Sequence, residues 1–343
     1  MDMTPIDWYR TPIGKVELTA FTRKSDLKGW LQAGSFLLIF ILTAAAGFYF
    51  FRMRQWVPMI VLCYFHSFFQ GMMGMAAAVH ELSHGTVFKS RRVNEFFYTL
   101  FCFLTWNNPV HFRASHMLHH QLTVHRGRDK EVIQVPVAEK LNWVSLISGF
   151  TFDFKWFALV MRANILHALG RGDVDYFSWD PLFPESDPRR KAMCRWARIV
   201  LIGYLALIAV FIVFKLWVLL YLLVFGSFFV RILGNLTGAI QHTGLGENVP
   251  DWRLVCHTVK VSPLLGYLYW HMNYHTEHHM YAAIPCFNLA RFHRAVAADM
   301  QVPQKSFLAC LRLLLRIRKR QAEDPTYTYV PEFPATATPP RWK

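Results

Sequence analysis

Nine histidines in this chain stand at spacings that suit metal ions. His80 and His84 are four residues apart in H-E-L-S-H. His116, His119 and His120 fall within H-M-L-H-H, and His275, His278 and His279 within H-T-E-H-H. His242 follows alone in Q-H-T-G. Residues three or four apart on a helix share a face, so each cluster is expected to turn its imidazoles toward a common point, as neutral histidine ligands of a transition metal must. Nine imidazoles exceed what one ion holds, since zinc takes four ligands and an octahedral ion six, so two metals are expected. An all-nitrogen set suits redox-active iron better than magnesium or calcium, which prefer oxygen. Two iron ions (Fe2+/Fe3+) beside a membrane core, with O2 as co-substrate, could take hydrogen from an unactivated C–H bond of a lipid.

Other chemistries fit less of the pattern. His80-Glu81-Leu82-Ser83-His84 also spells H-E-x-x-H, the zinc metalloprotease signature in which the glutamate is general base. That reading needs three protein ligands and leaves six clustered histidines without a role. A carboxylate di-iron bundle needs two E-x-x-H pairs, and only Glu81 and His84 form one. A metal transporter would place its ligands at mid-membrane rather than at the ends of spans. Of the remaining histidines, His66, His167, His257 and His293 are isolated and read as structural, while His111, His125 and His271 lie near the clusters. His271 is expected to support a ligand rather than be one. Glu81 and Glu277 neighbour ligands, although Glu277 reads equally well as solvated. Arg113, Arg126, Arg128 and Asp129 could face a polar head group or be ordinary loop charge.

The elements that hold these residues are apolar. The chain has 343 residues, 54% hydrophobic and 17% charged, a membrane composition that excludes disorder and a plain cytosolic enzyme. Residues 31–51 and 56–79 are each long enough to cross a core of about 30 Å and form a hairpin turning near Arg52 and Arg54. The uninterrupted run 199–240 would make about 63 Å of helix, so it reads as two spans, 199–214 and 216–240, turning at Lys215. Residues 96–106 and 143–161 are too short or too charged to cross and read as re-entrant or interfacial. The expectation is an all-α integral membrane protein with four transmembrane helices and a cytoplasmic helical cap. Its parts would be an N-terminal segment over 1–29, a membrane domain over 30–293, a basic amphipathic C-terminal helix over 294–323 and a loose tail over 324–343.

The net charge of +15 supports that topology. Four spans put both termini on one side, and every Lys and Arg except Arg52, Arg54 and Lys215 falls there with them. The positive-inside rule then places both termini and all nine histidines in the cytoplasm. The cations are spread over loops rather than gathered in a patch, which argues against a nucleic-acid partner. Six cysteines without a C-x-x-C pair predict neither a disulfide framework nor a thiolate metal site.

H-E-L-S-H, H-M-L-H-H and N-Y-H-T-E-H-H (273–279), in this order and topology, resemble the three histidine boxes of the membrane fatty acid desaturase superfamily, which includes related hydroxylases and ketolases. The similarity runs from about residue 56 to 293. It implies two irons held by His80, His84, His116, His119, His120, His242, His275, His278 and His279, with His242 as the extra ligand after the fourth span. Some acyl-CoA desaturases carry an asparagine four residues before that extra histidine. Here the position is Gly238, and either Asn235, on nearly the same helix face, substitutes or the site differs. The resemblance further implies a fatty acyl substrate and electrons from a ferredoxin or a haem protein with its reductase. With no fused H-P-G-G haem motif in the chain, the donor should be a separate protein.

Overall fold

The computed structural model describes residues 4–131, 143–172 and 174–342. Residues 1–3, 132–142, 173 and 343, which belong to the expected N-terminal segment, central insert and tail, lie outside the described residues. The fold is helical; among the described residues only isolated β-bridges occur.

After a short α1 (Lys15–Phe21), the first membrane helix α2 covers Asp26–Arg52. Its N-terminus is capped by the Ser25 hydroxyl, which accepts from the Lys28 N–H. Phe36, Phe40, Thr43, Ala44 and Gly47 recur every three or four residues and are buried, while Leu38, Ile41, Leu42 and Tyr49 are exposed. This is one protein-facing stripe and one lipid-facing side. The turn expected near Arg52 and Arg54 is present, with Arg54 at φ 56. The next helix, α3 (Trp56–Met73), packs against α2. Deep between them, His66 Nδ1 lies 2.7 Å from the Thr43 hydroxyl and Nε2 donates to the Leu222 carbonyl at 2.9 Å. His66 is therefore a satisfied structural histidine, as expected.

The second span does not run straight into its histidines. It breaks after Met73, and a separate short α4 (Ala78–Ser83), every residue buried, carries His80. Helix α5 (Arg91–Leu104) is amphipathic: Asn94, Phe97, Tyr98, Phe101 and Cys102 face inward and Phe96 outward. Helix α6 (Pro109–Leu122) starts with proline in its first turn and Asn108 accepting from the Val110 and His111 N–H groups. Two helices, α7 (Trp143–Phe150) and α8 (Phe154–Ala168), leave Trp143, Val144, Ile147, Phe150 and Phe154 exposed, as an interfacial hairpin would.

Helix α9 (Pro188–Val213) is the third segment long and apolar enough to cross a membrane, and among the described residues there are three such helices. The chain turns at Lys215, φ 55. The fourth expected span, 216–240, is not one helix. A 12-residue apolar helix α10 (Trp217–Phe228) is followed by a break and then α11 (Ile232–His242). The break has a local cause, because loop backbone from the α7–α8 turn docks there. The Asp153 N–H donates to Phe228 O and the Val230 N–H to Thr151 O, both at 2.9 Å, and Val230 takes φ 50. Arg231 lies 3.3 Å from Asp153 and sits over the Trp156 ring.

The remaining chain covers the ends of these helices with α12 (Trp252–Val255), α13 (Pro263–Leu268), α14 (His275–Met280), α15 (Cys286–Val296) and α16 (Phe307–Glu323). The basic segment expected over 294–323 is thus the end of α15, an irregular link and α16. Both chain ends converge on the fully buried Arg253, which is paired with Asp251 at 2.7 Å and Asp299 at 3.2 Å. Its guanidinium lies 3.9 Å over the ring of Tyr9 and also faces Phe333, and Trp8 stacks on Trp252. Residues 324–342, expected to be loose, form an extended strap. The Tyr329 N–H donates to Gly244 O, Thr338 to Asp299 and Arg341 to Asp251. Composition reads this segment as polar and Pro-rich, but its backbone donors find acceptors on the folded body, which no composition measure detects. All six cysteines are free.

Candidate metal centre

The nine histidines come from four segments. The third residue of α4 is His80 and its C-cap is His84, α6 carries His116, His119 and His120, α11 ends on His242, and α14 carries His275, His278 and His279. They divide into two sets: His80, His84, His116, His120 and His278, and His119, His242, His275 and His279. Within each set one nitrogen from every ring lies within 4.8 Å of all the others. The sequence clusters are therefore not the spatial sets. Histidines four apart stay together (80/84, 116/120, 275/279), whereas the third member of each triplet, His119 or His278, crosses to the other set. A step of four turns the helix by about 40° and a step of three by about 60° in the opposite sense, so only the first keeps two rings on one ion.

The nitrogens are spaced as metal ligands would be. His80 Nε2 is 3.0 Å from His278 Nε2, His84 Nε2 is 3.0 Å from His116 Nε2, and His116 Nε2 is 3.2 Å from His120 Nε2. In the other set His242 and His275 approach to 3.0 Å, and His275 and His279 to 3.1 Å. Ligands at right angles around an ion at about 2.1 Å stand about 3.0 Å apart, so the separations fit cis positions of an octahedral ion. The sets touch through His120 and His279, whose rings stack with centroids 4.1 Å apart.

The far nitrogens are held by other groups. His242 Nδ1 donates to the Val255 carbonyl at 2.8 Å, and because a carbonyl only accepts, this leaves the Nε2 lone pair pointing into the set. His119 Nδ1 donates to Asp129 at 2.8 Å, His116 Nδ1 to Glu131 at 3.1 Å, and His279 Nδ1 meets the Thr123 hydroxyl at 3.1 Å. Thr123 spends its own proton on His119 O, so it accepts from His279. His278 Nδ1 and Glu81 Oε1 are 3.0 Å apart, a close polar contact without hydrogen-bond alignment.

Burial, reinforced by the charge of neighbouring imidazoles, holds His116, His120, His275 and His279 well below the usual histidine range. It takes His84, His242 and His278 down to about 3. These rings are neutral, the form that binds metal. His119 is the exception. Burial lowers it, but the Asp129 carboxylate outweighs burial and raises it.

The supporting residues expected from sequence fare unevenly. Glu81 faces a clustered histidine, with Oε1 3.0 Å from His278 Nδ1, the ring nitrogen opposite the one that meets His80. Glu277 is fully buried, which overturns the solvated alternative, but its partners are Thr258 at 2.7 Å and His293 at 2.5 Å rather than a clustered histidine. His293, expected to be isolated, is therefore tied to the histidine-rich helix through Glu277. His271 lies three residues beyond α13, where burial lowers its ring and the nearby Glu81 carboxylate offsets part of that shift. Asn235 is exposed and lines a cavity beside α11. His111, His167 and His257 donate to backbone carbonyls of Ser178, Phe177 and Thr243, as structural histidines do. His125 Nδ1 likewise donates to Thr123 O. Asp129, expected as head-group contact or loop charge, is 2% exposed and holds His119. Glu131, which no sequence motif marks, holds His116. The only signal for either was an acidic residue in a basic run just after a histidine cluster.

A helical protein with three apolar membrane-length helices and two adjoining histidine sets defines a narrow class. The chain belongs to the fatty acid desaturase family, whose model matches residues 54–307. Membership implies an oxidoreductase acting on fatty acyl chains in a membrane setting. No curated protein matches the chain in a direct comparison.

Proposed function

We propose that this protein is an oxygen-dependent desaturase of a fatty acyl chain, with one iron in each histidine set. The observation that carries the reading is the division of nine imidazoles into two adjoining groups with the nitrogen spacing of cis ligands. His80, His84, His116, His120 and His278 hold one iron, and His119, His242, His275 and His279 the other. When bound, the iron pair supplies the oxidising power that, with O2, removes hydrogen from an unactivated C–H bond. Desaturation takes two hydrogen atoms from neighbouring carbons, and O2 leaves as two waters with two electrons and two protons from a separate ferredoxin or haem protein with its reductase.

The chain's own part is to fix the imidazoles. Asp129, Glu131, Val255 O and Thr123 set ring tautomers, and Glu81 supports His278. Hydroxylation or ketone formation is the alternative outcome of the same hydrogen removal. For topology, α2, the α3–α4 unit, α9 and the α10–α11 pair form four crossings, with both termini and the histidines in the cytoplasm. The clustering supports this reading, because His80, His119 and His242 must lie on one side. Metal analysis of the purified chain should find two irons. Cells expressing it should accumulate an unsaturated lipid that His119→Ala abolishes. One zinc with peptide cleavage would defeat the proposal, and a hydroxylated product would retain the site while changing the outcome.

A further inference from the structure

A cavity lies between α3, α8 and the α10–α11 break, and its walls carry more polar atoms than a hydrocarbon chain can use. It reaches the starts of three histidine-bearing segments: Gly74 before α4, Asn107 before α6, and Asn235 on α11, seven residues before His242. Seven residues of helix place Asn235 about 10 Å along α11 from that ring. Gln70 is completely buried and lines the cavity. Its Nε2 donates to Leu104 O at 2.8 Å, which fixes the amide orientation, and its Oε1 has no partner. Ser227, 4% exposed, presents an unpartnered Oγ to the same space. Arg231 adds a guanidinium whose charge is balanced by Asp153. Room is made by Gly71, where a Cβ would meet nothing within 4 Å.

An unpaired acceptor buried at membrane depth is costly. A plain acyl chain or a carbonyl leaves Gln70 Oε1 unpaired, because neither donates. A hydroxyl donates to Gln70 Oε1 and accepts from Ser227 or Arg231. We propose that this cavity binds a hydroxyl group on the lipid substrate, so that the preferred substrate is a hydroxylated acyl chain. The inference rests on the reading of the histidine sets as the reaction centre.

Binding of radiolabelled mid-chain hydroxystearate and of stearate to the purified full-length chain in nanodiscs separates the two claims without requiring turnover. Hydroxystearate should bind about tenfold more tightly. The ratio should fall to near one in Gln70→Leu with Ser227→Ala, and also in Gly71→Val, whose Cβ projects into open space beside the cavity. Equal affinities in the unmodified chain mean that water alone satisfies these groups, which overturns the inference, as does a preference that survives both variants. Neither result alters the iron count or the appearance of an unsaturated lipid, so the proposed function fails or stands separately.

Discussion

The two histidine sets differ in number and in exposure. The set of five contains His84 and His120, both partly exposed, and leans on Glu131 and Glu81. The set of four is fully buried and leans on Asp129, a backbone carbonyl and a threonine. The first has a ligand to spare and a route to solvent. The second has neither, so its geometry depends on every member and on the groups behind them. The comparison predicts that equal chemical damage has unequal consequences.

The largest difference should come from removing one imidazole from each set. His275→Ala leaves three nitrogens in the buried set, and the purified protein should hold one iron per chain instead of two, with product formation below detection. His84→Ala leaves four nitrogens and room for water, so two irons should remain while activity drops. Equal metal loss in both variants would remove the asymmetry.

Next come the carboxylates behind the rings. Replacing a group that orients a metal-bound histidine costs about 10–100-fold in affinity or activity. Asp129→Asn should lie near the upper end, because the Asp129 carboxylate is inaccessible and also accepts from the Val124 N–H. Glu131→Gln should lie near the lower end, since its carboxylate is 15% exposed and water can replace it. Iron retention during chelator challenge would rank them, and a reversed order would assign the tighter demand to the set of five.

A smaller effect is expected for Thr123→Val, which keeps the shape and deletes the acceptor for His279. Loss of one hydrogen bond of about 1 kcal/mol corresponds to less than tenfold in iron affinity. The smallest belongs to Arg126→Ala. It breaks an exposed pair with Glu247 near the same loop and should change thermal stability by no more than about 1 kcal/mol, with iron content untouched. A large effect there would mean that the loop carrying Asp129 is held from outside.

Much of this was legible in the residues. The hairpin of α2 and α3, the third apolar helix and the nine histidines follow from hydropathy length and spacing, which are local properties of the chain. The fourth span was legible only as apolar length. Its break depends on Thr151 and Asp153 arriving from elsewhere to bond the backbone at residues 228–230. The strap over 324–342 looks loose in composition because its order comes from acceptors on Gly244, Asp251 and Asp299. Asp129 looked like loop charge because nothing near it in sequence shows that it faces His119.

What the sequence alone determined is the inventory: membrane helices, histidine ligand types and their helical spacing, each set by residues within a few turns of one another. Only the tertiary structure decided which histidines belong together. Helix rotation keeps neighbours four apart on one ion and sends His119 and His278 to the other, and the partner rings arrive from segments up to about two hundred residues away. A metal site is a point in space where several chain directions meet, and a linear pattern specifies those directions only one helix at a time.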